Sequence, residues 1–322
     1  MAQNITDKTL IDLEFSTVLE TIEEYCISDL GRQMVQHIRP INRSLELKSE
    51  LYQVNEYLSS FENENRIPNH YFEEISKEIS LLGIEDSFLE GTAFIKIASM
   101  SENVNDLLLF FKKFKEYYPT LFAQSEDIEF NKLLSGQIKS LISPFGEVVD
   151  NASVTLQNIR KDINKIRGQL GGSFNKAMAN YSSQGYLDDI RESVIDNQRV
   201  LAVQAMYRKK VNGAIMGNSK TGSIVYIAPE ATLQLSRELQ NIKYEEQEEI
   251  VKILKDLTNI IRPYAPLLEK YQLHLSHLDS IGARAKYAQN INACLPKIVR
   301  DKKIYLKDAY HPILGWKTPK RD

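Results

Sequence analysis

The chain has 322 residues, 43% of them apolar and 26% charged, with a formal net charge of −3, a globular composition that excludes an extended disordered tail. It holds no run of about 18 apolar residues, which excludes a membrane-spanning helix. The opening MAQNITDKTLIDLEF lacks the basic start and apolar core of a secretion signal.

Two cysteines, Cys26 and Cys294, cannot build a disulfide scaffold, so a cytoplasmic, reduced protein is expected. The small net charge hides an asymmetry. Residues 1–150 carry 13 Lys and Arg against 26 Asp and Glu, whereas residues 151–225 carry 11 against 5. A basic block of this kind fits either a local fluctuation or a face turned to a polyanion, and charge alone leaves both open.

In chain order, the first 141 residues read as helices. Leu10, Leu13, Val18, Ile22 and Tyr25 recur at helical steps, with Asp7 and Ser16 as candidate N-caps. Ser28-Asp29 starts a second helix that stops before Pro40, and Ser44 opens a third through Leu58. A long helix is predicted from about Thr92 to Tyr118, ended by Pro119. Its Leu107–Phe111 run is apolar all round and reads as the most buried element. A further helix is expected from about Ser125 to Leu141. Gly146 then reads as the turn of a small hairpin.

Ser153 caps a long helix, Val154 to about Tyr181, with Leu156, Ile159, Ile163, Ile166 and Leu170 on one stripe. Gly171-Gly172 weakens its middle. From about 185 to 227 the period changes to two. Strands are predicted around an Asp196-Asn197 turn and around Gly217–Gly222, giving a small antiparallel sheet. Pro229-Glu230 restarts a helix that runs to about Arg262. Two last helices, near Tyr264–Tyr271 and Leu275–Ala293, lead to a strand at Ile304–Leu306. The domains so read are a helical core over 1–141, a hairpin, long helices and sheet over 142–275, and a core return over 276–322.

No enzyme signature appears. Gly217-Asn-Ser-Lys-Thr-Gly222 lacks the glycine spacing and the strand-to-helix context of a phosphate loop and reads as a hairpin turn. His274 and His277 offer two metal ligands three residues apart, but no third ligand completes a set, and a partly exposed pair is the simpler reading. Cys26 reads as core and Cys294 as structural. What remains is basic: Arg191, Arg199, Arg208, Lys209, Lys210 and Lys220 lie in or beside the sheet, with Tyr207 among them. Lys161, Lys165 and Arg167 lie on the outgoing helix. Accessible cations on turns suit phosphate contacts, and no base-reading helix or stacking platform is evident, so binding would be electrostatic and not sequence-specific. Alternatively these cations pair with Asp188, Asp189, Glu192 and Asp196.

The order of segments resembles the MutS family, specifically its MutS-II branch. The resemblance is carried by Leu13-Glu14-Phe15 with Ser28-x-Leu30-Gly31-Arg32, by Gly146–Asp150 with Ala152-Ser153 and Ile159-Arg160, by Arg199–Val203 through Tyr226–Pro229, by Leu278-Asp279 with Ala283–Ala288, and by Ala309–Leu314. It departs from the family at Ala228, at Tyr310 and in the 217–222 loop. It implies a mainly α fold: an elongated helical core with two long lever helices carrying a small antiparallel β clamp-like sheet.

Residues 309–314 would be the strand opening an ATPase domain, so ATP and Mg are expected only with that domain and no cofactor is expected here. The implied function is non-enzymatic binding of duplex or branched DNA in recombination control. The alternatives are a clamp on stalled ribosomes, or a helical scaffold binding only protein partners. A homodimer is a possible assembly, and no membrane partner is expected.

Overall fold

The computed structural model describes residues 5–299, 303–307 and 309–317. It is mainly helical, 61% helix, with one four-stranded antiparallel sheet. The chain divides into two compact units, one formed by residues 1–147 and 255–322, the other by 148–254.

The first unit contains α1 (Asp7–Asp12), α2 (Phe15–Glu23), α3 (Asp29–Gln36), α4 (Ser44–Ser59), α5 (Ser76–Leu82), α6 (Gly91–Lys113), α7 (Pro119–Ser125) and α8 (Lys132–Leu141). The predicted first helix is broken in two at Glu14, whose φ of 49° is left-handed, and the cap is Thr6, not Asp7 or Ser16. The helix expected to reach Tyr118 stops at Lys113. Pro119 opens α7 instead of merely ending α6, because its fixed φ suits a first helical turn. Asn131 caps α8 by accepting from the Leu134 amide at 3.1 Å, so α8 starts later than expected. The Leu107–Phe111 run is not buried all round. Leu107 and Phe111 are fully buried, but Leu109 is 54% exposed, so the helix keeps one solvent face.

The return of the chain closes this unit. From Glu230 to Asn290 the backbone is helical for 61 residues: α10 (Glu230–Ile261), a 3-10 turn at Arg262–Tyr264, and α11 (Ala265–Asn290). The two short helices expected after Tyr264 are therefore one, since the intervening residues 272–274 hold no breaker. Ile304–Leu306 forms no strand; its side chains are exposed, and no strand lies beside it among the described residues to complete a ladder. Pro312 starts α12 (Pro312–Lys317), so the stretch that resembles a family strand ends in a helical turn.

A buried carboxylate ties α11 to α3. Asp279, only 2% exposed, accepts from the Ile27 amide at 3.0 Å, the Ser28 amide at 2.9 Å and the Ser28 hydroxyl at 2.6 Å. Ser28 in turn accepts from the Gly31 amide at 3.0 Å, capping α3. A Cβ on Gly31 would lie 2.1 Å from Asp279 Oδ2, so only glycine fits there.

His274 is also buried, which corrects the reading of a partly exposed pair. It is 5% exposed and neither ring nitrogen has a partner. His277 sits beside Gln124, 3.7 Å from Glu50, which Arg284 Nη1 meets at 2.8 Å. Hydrogen bonding from His277 and the charge of Arg284 hold the Glu50 carboxyl down to about pKa 2, against the cost of its burial. Among the described residues no group of three or more His, Cys, Asp or Glu could hold a metal. Cys26 is core, its thiol pushed up to about 12 chiefly by burial, and Cys294 is exposed and free.

The second unit is built on α9 (Val154–Ser183), the sheet and the first part of α10. Ser153 caps α9 by accepting from the Leu156 amide at 2.9 Å, as the sequence suggested. The strands are β1 (Leu187–Ile195), β2 (Gln198–Gln204), β3 (Gly213–Asn218) and β4 (Ile224–Pro229), in the order β1-β2-β4-β3 and all antiparallel to their neighbours. Asp196 and Asn197, φ 47° and 61°, make the left-handed two-residue turn between β1 and β2 that Asp and Asn tolerate. Gly222, φ 71°, closes the β3–β4 turn. One sheet face packs Leu187, Leu201, Val203, Val225 and Ile227 against Phe174 and Met178 of α9.

Candidate nucleic-acid interface

The second unit places the predicted basic residues in four different settings. Helices α9 and α10 run antiparallel: Ser153 Oγ meets Glu249 at 2.7 Å, Arg160 Nε meets Glu246 at 2.8 Å, and Ser173 Oγ donates to the Ala231 carbonyl at 3.1 Å. As one contact moves up α9 its partner moves down α10. Arg160 also donates to the Val148 carbonyl at 3.0 Å and pairs with Asp150, clipping the hairpin to the helix. Burial opposes its charge, but the hydrogen bonds it donates to Glu246 and Asp150 outweigh it and raise its pKa.

The first setting is the crossover. Because β4 lies between β2 and β3, the chain must cross β4 to pass from one to the other, and it does so as a 3-10 turn, Ala205–Lys210. Ala205, Tyr207 and Val211 pack on the buried cluster, so the crossover lies on the α9 side of the sheet. Tyr207 stacks on Tyr186 with centroids 4.9 Å apart, and Lys210 Nζ stands 5.5 Å from the Tyr186 ring centre and 5.9 Å from that of Tyr207. Aromatic stacking and cation–π attraction thus fix the base of a Met206-Tyr-Arg-Lys-Lys210 surface from which Arg208 and Lys209 project. Met206 is 75% exposed.

Second, Lys220 is exposed in the β3–β4 turn, and Arg191 is exposed on β1, an edge strand. Third, Lys161 and Lys165 are exposed one turn apart on one face of α9, and Arg167 lies about 200° round the helix from Lys165. Fourth, Arg199 is engaged within the unit. Its guanidinium meets Glu192 at 2.5 Å and Asn175 at 3.2 Å, and lies 4.2 Å over the Phe174 ring.

The rival reading of local ion pairing therefore applies to Arg199 and Glu192 alone. Among the described residues Arg191, Arg208, Lys209, Lys210, Lys220, Lys161, Lys165 and Arg167 form no ion pair, nor do Asp188, Asp189 and Asp196. The Tyr186–Tyr207 stack was not visible as a pair in the sequence, although Tyr207 stood out among cations. Lys243 of α10, half-buried and not singled out by the charge pattern, joins Arg167 and Arg199 around a separate cleft.

No protein-family model matches the chain. It is similar over nearly its whole length to curated proteins named endonuclease MutS2. That of Lacticaseibacillus paracasei is 27% identical over 315 residues, covering 96% of this chain and 39% of the relative. That of Staphylococcus epidermidis is 26% identical over 324 residues, with 97% and 40% covered. That of Alkaliphilus oremlandii is 25% identical over 312 residues, with 96% and 39% covered. The chain thus spans about two fifths of the length of these relatives. Their likeness supports a MutS-related family.

Proposed function

We propose that this chain is the core, lever and clamp region of a MutS-II-like protein, gripping duplex or branched DNA in recombination control without reading its sequence and without chemistry of its own. The observation that carries the reading is the crossover: three consecutive cations, Arg208, Lys209 and Lys210, on a turn braced by stacked tyrosines, with no ion pair among the described residues to neutralise them. Unpaired cations on a fixed base release counterions when they meet phosphates, which gives affinity but no sequence preference. Arg191, Lys220, Lys161 and Lys165 would extend the contact, while Arg199 serves the fold. The resemblance to MutS-II and the similarity to proteins named endonuclease MutS2 support DNA as the polyanion. Strand cleavage belongs to the name of those longer relatives and is not assigned to these residues.

The test is a titration against duplex, four-way-junction and single-stranded DNA, and against ribosomes, at several salt concentrations. Junction or duplex binding should weaken steeply with salt. The triple variant Arg208→Ala, Lys209→Ala, Lys210→Ala should reduce the log–log salt slope by about 2 to 3, near 0.9 per lost phosphate contact. An unchanged slope would remove the crossover from the interface. Ribosome binding much tighter than DNA binding would move the function to gripping stalled ribosomes.

A further inference from the structure

A cleft of about 470 Å³ opens inside the second unit, between α9 and α10 and under the β1–β2 turn. One stripe of each helix lines it. Arg167, Leu170, Gly171 and Phe174 recur at helical spacing on α9, and Ser236, Leu239, Gln240 and Lys243 do so on α10. By the antiparallel register that joins Ser173 to Ala231 and Arg160 to Glu246, Arg167 lies level with about residue 238, and Lys243 stands about five residues, roughly 7 Å, further along toward the same end of the cleft. These two cations therefore flank one end, and neither forms an ion pair among the described residues.

The middle is different. Leu170 and Leu239, both half-buried, give an apolar wall, and Phe174 lies buried behind them under Arg199. At Gly171 the helix presents only backbone, and an added Cβ would meet nothing within 4 Å, so the fold's own packing does not use the glycine. Gln240 and the Asn197-Gln198 turn bring amide groups to the rim, with Gln198 held by a 3.3 Å contact to Ser236. Arg199 is fixed over Phe174 with its charge paired to Glu192, and Asp196 is the one carboxylate among the cleft's lining residues.

A concave site of this size with an apolar wall, amide groups and a cationic end is complementary to a small flat ring joined to a phosphate. We propose that this cleft binds a nucleoside monophosphate, the phosphate between Arg167 and Lys243 and the base along Leu170 and Leu239, with its edge toward the amides. Gly171 lets the ligand approach the helix backbone. The site is distinct from the crossover cations and stands or falls separately from the DNA reading.

Calorimetric titration of the whole chain with AMP, GMP, CMP and UMP, and with adenosine and inorganic phosphate, tests it without DNA present. At least one monophosphate should bind at least about tenfold more tightly than either phosphate or the nucleoside, because only it engages both halves. Arg167→Ala and Lys243→Ala should each weaken it about tenfold or more. Gly171→Leu should block it while improving helix propensity, so that lost binding there does not reflect lost folding. The Arg208→Ala, Lys209→Ala, Lys210→Ala variant should bind as the parent does. No monophosphate binding tighter than inorganic phosphate, or binding that survives Gly171→Leu, would overturn the proposal.

Discussion

Asp279 carries more of the first unit than its place in the sequence suggests. It holds three donors from residues 27 and 28, and its position forbids any side chain at Gly31. Gly31→Ala would have to push Asp279 aside, so a loss of about 1–3 kcal/mol is expected from overpacking alone. Urea unfolding of Gly31→Ala checks this, and a variant as stable as the parent would mean that the contact yields freely. This pair also explains why Ser28–Arg32 and Leu278-Asp279 both carried the family resemblance although some 250 positions separate them. No local pattern could have joined them, because the bond is tertiary.

His274 makes a second prediction at the same scale. Burial, with His277 and His70 nearby, lowers its pKa from 6.5 to about 4, and burial lowers that of His70 as well. A depressed folded pKa means the unfolded chain binds the proton more readily. The stability carried by His274 is complete above about pH 6.5 and drains away as pH falls toward 4, by about 1.4 kcal/mol per pH unit, and His70 acts in the same direction. Glu50, held down to about 2 in the folded chain, adds its own loss only as pH falls through the ordinary carboxyl value of 4.5, below the pH 6.5 to 5 range of the test. His274→Leu should flatten the decline of the urea midpoint between pH 6.5 and 5; a decline of unchanged steepness would show that His274 is not its source.

Among the elements, α9 is the one whose sequence contains an unexplained weakness. Gly168, Gly171 and Gly172 lie in its interior, and an added Cβ meets nothing at any of them. Gly168→Ala and Gly172→Ala should therefore each stabilise the chain by about 1 kcal/mol, seen as a higher melting temperature. A lower melting temperature would mean that the helix needs its glycines for a reason other than space. The length of α9, its Ser153 cap and the Asp196-Asn197 turn were all legible, because helical period, caps and left-handed turns are local signals. The single helix Ala265–Asn290 was not, since a run of polar and apolar residues without a breaker can be cut anywhere on paper. Nor could the sequence separate Arg199, tied to Glu192 and Phe174, from Arg208, which forms no ion pair among the described residues: both look alike as isolated cations.

At the scale of the molecule, the basic block read at 151–225 falls within the second unit, and all but the last three residues of the acidic block read at 1–150 fall within the first. Residues 226–254 and 255–322 offset these blocks, leaving the first unit at a net −5 and the second at +2. The sheet's strand order has a further consequence, in time as well as in space. The strand that becomes the middle of the sheet, β4, is synthesised last, and it must enter between two strands already laid down. Until residue 229 has been made, β2 and β3 have no common neighbour, and the tyrosine-braced turn that bridges them has nothing to cross. The surface offered to a polyanion is in this sense finished by a single late insertion, and a chain interrupted just before Ile224 would hold all three crossover cations without the platform that aims them.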